Sequence, residues 1–193
     1  MTPDEIKSRI ETEIPGTKLK IVRDSILIGN PADLVKVASF LKYSHDFLMD
    51  YLSSVTAVDY IQYLESVYHL YSMEKRTGPV ILRVRVPRRE PHIPSMVPLY
   101  RGAELQEREN FDMFGIIYDQ HPDLRRLFLW ENFEGHPLRK DYRQEDSETL
   151  EMEDVEWLDK HGVTVPKDIR KQAKELQSQG KRALSQKEGK EGA

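Results

Sequence analysis

Cysteine is missing altogether from these 193 residues. That absence removes disulfide scaffolding, thiolate catalysis, Cys-ligated zinc and cysteine-held iron–sulfur clusters, all of which need a thiolate. Any redox centre nearby must belong to another chain. Long apolar runs are missing too, since nothing approaches the ~18–20 apolar residues that span a bilayer. The start, Met1-Thr2-Pro3-Asp4-Glu5, carries acids where a secretory leader needs a basic region and an apolar one. These features lead us to expect a soluble chain in the cytoplasm, at most peripheral to a membrane. Glycines never cluster as a dinucleotide or Walker loop, and no Gly-x-Ser-x-Gly frames a serine nucleophile. Nor is positive charge in excess: a net charge of −4 and a pI of about 5.9 give no global reason for a nucleic-acid partner.

What is present suits one α+β domain followed by a tail. Thr2-Pro3-Asp4-Glu5 is a capping box with proline at the first helical position, and Ile6, Ile10 and Ile14 fall on one face before Pro15-Gly16. Residues 19–28 read as a hairpin or two short strands. Asn30-Pro31 opens a second helix with Leu34, Val37, Ala38 and Leu41 as its apolar stripe. Leu52–Tyr60, Ser66–Ser72 and Pro79–Val86 are β-rich runs, and their short connections require antiparallel neighbours. Along the last of them Val80, Leu82, Val84 and Val86 face a core while Ile81, Arg83 and Arg85 face a largely solvated side. The expected fold is an antiparallel sheet of about four strands with helices packed on one face.

Pro87–Pro98, with prolines at 87, 91, 94 and 98, is expected to be too stiff for a strand. Ser95 can cap a helix running to about Phe114. Its stripe, Met96, Tyr100, Ala103, Glu107, Phe111 and Phe114, is apolar except for Glu107. That carboxylate is either a solvated residue on a misphased helix or a buried one paired with Arg125, Arg126 or Arg139. The expected domain is 1–142. Residues 143–161 are mostly acidic and 167–193 are rich in Lys and Arg, so 143–193 reads as a charged tail, extended or helical, too poor in apolar residues to order alone. It is expected to lie along a partner.

The segment Glu104–Tyr142 carries the functional signal. His121 and His136 each precede proline and lie fifteen residues apart. Neither has the i,i+3 or i,i+4 partner of a helical metal site, so Asp112, Asp119 or Asp123 make poor co-ligands for them. Both read better as turn histidines bonded to a carbonyl or carboxylate. No catalytic constellation emerges. Arg125-Arg126 and Arg139-Lys140, presented after His-Pro corners, suit bidentate contact with carboxylates of another chain. Phe128, Leu129, Trp130 and Phe133 between them are candidate apolar anchors.

Glu107-Arg108-Glu109, Phe111-Asp112-Met113-Phe114-Gly115-Ile116, His121-Pro122-Asp123-Leu124-Arg125-Arg126 and Glu134-Gly135-His136-Pro137-Leu138-Arg139-Lys140-Asp141-Tyr142 strongly resemble the signature of the C-type subunit of proton-translocating NADH:quinone oxidoreductase. The mitochondrial counterpart is the iron–sulfur protein 3 subunit of respiratory complex I. Val55-Thr56-Ala57-Val58-Asp59-Tyr60, Val67-Tyr68-His69-Leu70-Tyr71-Ser72 and Val84-Arg85-Val86-Pro87 are similar to the same family, and the likeness covers roughly residues 30–145. It implies a subunit of the hydrophilic arm without a cofactor or catalytic residues of its own, in an enzyme whose FMN, iron–sulfur clusters and quinone are held by other chains. Its partners would be the D-type subunit, which helps form the quinone site, and the B-type iron–sulfur subunit, at the cytoplasmic side of the cell membrane. The interface implied comprises Glu107, Arg108, Asp112, His121, Asp123, Arg125, Arg126, Trp130, His136, Arg139 and Lys140. Related domains in membrane-bound hydrogenases, formate hydrogenlyase and photosynthetic NADH-dehydrogenase-like complexes give an alternative assignment, and a stand-alone enzyme using the histidines gives a third.

Overall fold

A computed structural model describes residues 2–142 and 152–162, together with 165, 167, 170, 171, 173–175 and 177. The chain divides into two units, Met1–Arg143 and Gln144–Ala193. In the first, α1 (Pro3–Glu13) starts on the expected capping box: Thr2 accepts from the Glu5 N–H while the Glu5 carboxylate takes the Thr2 N–H. Ile6 and Ile10 are its buried side chains. β1 (Leu19–Val22) and β2 (Ser25–Ile28) form the hairpin. Asn30 caps a single 3₁₀ turn, Pro31–Asp33, which leads into α2 (Leu34–Tyr43) with Leu34, Val37, Ala38 and Leu41 buried.

β3 (Tyr51–Asp59), β4 (Tyr63–Ser72) and β5 (Thr77–Pro87) are antiparallel in sequence order. The sheet differs from expectation in number and direction: it has five strands in the order β1-β2-β5-β4-β3, and β2 pairs with β5 in parallel. Short connections fix only neighbours in sequence, whereas β2 and β5 meet across the intervening α2, β3 and β4. Register places Ile26, Leu82, Tyr68 and Val55 on one face, where they join Ile10, Val37, Leu41 and Ala103 of the helices in one core. The opposite face is less solvated than its arginines suggested. Glu65 there is fully buried, with Arg83 at 2.6 Å and Arg85 at 2.7 Å, and Val67, opposite Arg83 in the register, is buried too.

Two further expectations are corrected. Residues His92–Pro94 do form a short strand, β6, paired in parallel with β7 (Ile117–Asp119). It lasts three residues and ends on a proline, a position that needs no ladder N–H from the ring. The helix that follows, α3 (Ala103–Phe114), begins well after Ser95 and has no side-chain cap. Successive turns occupy 96–102, and the Ser95 hydroxyl is engaged by Glu107 and the Val97 N–H.

α3 lies along the edge strand β3. Its Gln106 side chain accepts from the Val55 N–H and its Asn110 donates to the Val55 carbonyl, so both outward-facing backbone groups of Val55 are occupied by side chains. In the second unit, α4 (Met152–Lys160) is helical, Val155, Val165 and Ala173 are buried together, and Arg170 pairs with Asp159 through both oxygens at 2.8 Å. The expected tail stretches 143–151 and 178–193 lie outside the described residues.

Candidate functional site

α3 carries four charged or amide side chains inward: Glu107, Arg108, Asn110 and Asp112 are all buried. Buried polar groups must be hydrogen-bonded, and here each bond fixes a different loop. Asp112 is the hub. Its Oδ2 accepts the consecutive N–H groups of Leu127, Phe128 and Leu129 at 2.7–3.0 Å, and its Oδ1 accepts from Arg126 at 2.8 Å. Burial alone would raise its pKa, but the three backbone bonds and Arg126 outweigh it and hold the carboxyl below the ordinary value. Arg126 continues to the carbonyls of Phe133 and Gly135, and Arg108 donates to those of Arg125 and Arg126.

The last carbonyls of α3 have no partners within the helix. The segment 136–139 supplies them: His136 Nδ1–H donates to the Asp112 carbonyl, the Leu138 N–H to Met113, and Arg139 Nε to Phe114 at 2.6 Å. Cations at this end also suit the negative pole of the helix dipole. Burial pushes the His136 imidazole below its usual pKa, which suits a neutral donor ring. Gly115 makes the approach possible. It is left-handed at φ +70°, and a Cβ there would collide with the His136 ring and the Arg139 guanidinium.

Asp59 is a second hub. It accepts from the Ile61 N–H at 2.6 Å, the Lys140 N–H at 2.8 Å and the Arg88 guanidinium, which also pairs with Asp141. Burial opposes its ionisation, yet Arg88 and the two backbone bonds together keep its pKa below the ordinary value. The strand-to-strand turn it holds is unusual. Ile61 is left-handed at φ +68°, a rare state for a β-branched residue, and its side chain is 62% exposed.

The expected pairing of Glu107 with Arg125, Arg126 or Arg139 is not found. Glu107 is fully buried, but it accepts from the Ser95 hydroxyl and the Met96 N–H, both at 2.7 Å. With no cation to offset desolvation, its pKa rises to about 7. Arg126 is taken by Asp112, Arg125 pairs with Asp123 on the surface at 2.9 Å, and Arg139 is bonded to a carbonyl. His121 forms a turn: its Nε2–H donates to the Glu104 carbonyl and its Nδ1 accepts from the Asp123 N–H, each at 3.0 Å. Among the described residues no three His, Asp or Glu side chains are grouped as metal ligands would be.

The network leaves an apolar surface pointing outward. Phe128 and Trp130 are 66% and 67% exposed and Leu138 is also exposed. Trp130 packs edge-on against Phe133, which stacks on Tyr142. Residues 27–148 match the family model described as the respiratory-chain NADH dehydrogenase 30 Kd subunit. The chain belongs to that family. The match takes in both hubs, Asp59 and Asp112, and agrees with the span inferred from the motifs.

Among relatives of this 30 Kd family, the chain is 41% identical over 118 residues to an NADH-quinone oxidoreductase C-type subunit, numbered 2, of Rhizobium meliloti, covering 58% of this chain and 62% of that one. It is 43% identical over 142 residues to the NADH-quinone oxidoreductase C-type subunit of Roseiflexus castenholzii, covering 70% and 81%. The match spans less than two thirds of the Rhizobium relative's length. A chain in the structure of the membrane-bound sulfane sulfur reductase, an archaeal respiratory membrane complex, shares the fold with a TM-score of 0.59 at 22% identity, covering 86% of this chain and 96% of that one.

Arg125, Arg126 and Trp130 were legible as a cluster in sequence. Asp59, Arg88 and Ser95 were not, because their bonds reach across distant parts of the chain, 29 residues in the case of Asp59 with Arg88. Gly115 carried a readable signal, a glycine directly after a helix.

Proposed function

We propose that this 30 Kd family chain is a docking subunit of a proton-translocating NADH:quinone oxidoreductase, holding the D-type quinone-site subunit near the B-type iron–sulfur subunit, with no cofactor or catalytic group of its own. The observation that carries the reading is the Asp112 hub. It spends a fully buried carboxylate on holding three successive backbone N–H groups, and the product is a fixed loop with Phe128 and Trp130 turned to solvent. Exposed aromatics on a rigid backbone, ringed by polar groups, are what binding hot spots are made of. Glu107 and Asp112 are fully buried and Arg108 nearly so, so they shape this surface and do not touch a partner. Arg126 and His136, half-buried, are engaged within the chain by Asp112 and backbone carbonyls, so His121, Asp123, Arg125, Trp130, Arg139 and Lys140 are the residues left to make contact.

FMN, iron–sulfur clusters and quinone then reside in the partner chains, and the assembled enzyme places this subunit peripherally on the cytoplasmic side of the membrane. No helix among the described residues is long and apolar enough to cross a bilayer. An affinity tag on this chain, followed by purification in mild detergent, tests the reading: the quinone-site and iron–sulfur subunits should co-purify. Recovery of the chain only as a free monomer would overturn it. A neighbouring gene for a nickel-ligating large subunit, in place of an NADH-binding flavoprotein, would move the same docking role to a hydrogenase-type complex.

A further inference from the structure

The cations of this surface are not equivalent once their partners are assigned. Arg126 is used up by Asp112, Arg125 by Asp123, and Arg88 by Asp59 and Asp141. Arg139 and Arg89 have no ion pair among the described residues, and both line one concave notch with Arg88, Gln62, Pro87 and Asp141. Arg139 is half-buried: its Nε donates to the Phe114 carbonyl and its Nη2 lies against Gly115, and neither Nη is hydrogen-bonded among the described residues. The three guanidinium groups are thus balanced by two carboxylates, Asp141 in the notch and Asp59, which pairs with Arg88, and one positive charge is left over. A partly desolvated cation is unfavourable unless a counter-charge is supplied, and the carboxylates near Arg139, Asp141 and Asp59, are already paired with Arg88. Beside the notch in sequence stand two exposed apolar side chains, Leu138 and the left-handed Ile61. Asp59 holds Ile61 and the Lys140 backbone together, so the apolar tip and the notch are one rigid feature.

We infer that the Arg89–Arg139 notch is a receptor for a carboxylate side chain of a partner subunit, seated bidentately on the Arg139 fork with an apolar neighbour of that residue against Ile61. A single excess charge matches a monoanionic carboxylate better than a dianionic phosphate, and the planar fork of arginine matches its geometry. This rests on the docking role proposed above and adds a second contact, separate from the Phe128–Trp130 loop.

The test uses the assembled complex. R139K in a K140R background replaces the guanidinium with an amine that a water-soluble carbodiimide can join to a carboxylate at zero length. Mass spectrometry should find position 139 bonded to an Asp or Glu of a partner subunit, with no such product from K140R alone. R89K in the same background is the second variant should R139K prevent assembly. R139A should leave the complex formed but raise the rate at which this chain dissociates about tenfold, the loss of a peripheral charge-assisted contact. Cross-links confined to this chain's own acids, or none from either position in a complex of normal yield, would overturn the inference while leaving the docking role intact. A saturable response of the free wild-type chain to inorganic phosphate at this notch would also overturn it. Absence of any partner in the purified material would instead defeat the docking role itself.

Discussion

Replacing Glu107 with glutamine should remove a pH dependence that this side chain builds into the fold. Glu107 lies at 0% exposure with no cation beside it, and its pKa is raised from 4.5 to about 7. For an acid whose pKa is higher in the folded state, the stabilising contribution is whole below the unfolded value and is lost as pH rises through the folded one. At about 1.4 kcal/mol for each pH unit between the two values, ionisation removes about 3 kcal/mol between roughly pH 4.5 and pH 8. The protonated acid can donate to Ser95 while still accepting the Met96 N–H, and a glutamine amide reproduces both bonds. E107Q should therefore match wild type at about pH 4.5 and exceed it by about 3 kcal/mol at about pH 8, read from denaturant unfolding of the two chains across that range. The difference between them isolates this group from every other titration. Parallel curves would mean that the carboxylate is not desolvated in the folded chain and that α3 does not bury it.

Asp112→Ala leaves Arg126 and three backbone N–H groups without their acceptor, and breaking a buried pair of this kind costs about 3–5 kcal/mol; limited proteolysis should then cut within 127–130, and uncut loops would refute the hub. Because the Asp112 and Asp59 carboxyls sit below the ordinary value of 3.8, the stability they contribute is complete above that value and is lost as pH falls below it, so acid titration should loosen the 126–141 segment only there. Phe128→Ala and Trp130→Ala should change unfolding by no more than about 0.5 kcal/mol yet weaken association with the partner subunits by about 2 kcal/mol, roughly thirtyfold; equal losses in both assays would make them structural residues. Gly115→Ala should destabilise the chain by about 1–2 kcal/mol or more from the left-handed backbone alone, measurable as a lowered melting temperature.

Local chemistry is what a sequence displays, and the helices show it. The capping box at Thr2, the α2 stripe and the register of Val80 to Val86 were all legible, since each depends on spacing within a few residues. The parallel β2–β5 pairing was not, because α2, β3 and β4 separate the two strands in sequence. Glu107 shows the same divide at the site. Its interruption of an apolar stripe marks it as buried or misphased, but its partner is Ser95, twelve residues upstream, and that serine reads in sequence as a helix cap. Proline misleads in a comparable way at 92–94, where the ring's missing N–H falls at a strand end.

The side chains of Gln106 and Asn110 on the β3 edge have a bearing on how assemblies can form. An edge strand with free N–H and C=O groups invites another chain to extend the sheet, whether a proper partner adding a strand or a misfolded copy starting an aggregate. At Val55 both groups are already satisfied by the amides of a helix laid along the edge. Strand addition is therefore blocked at Val55, and replacing both amides with leucine would open that position to pairing, with self-association in solution as the sign of it.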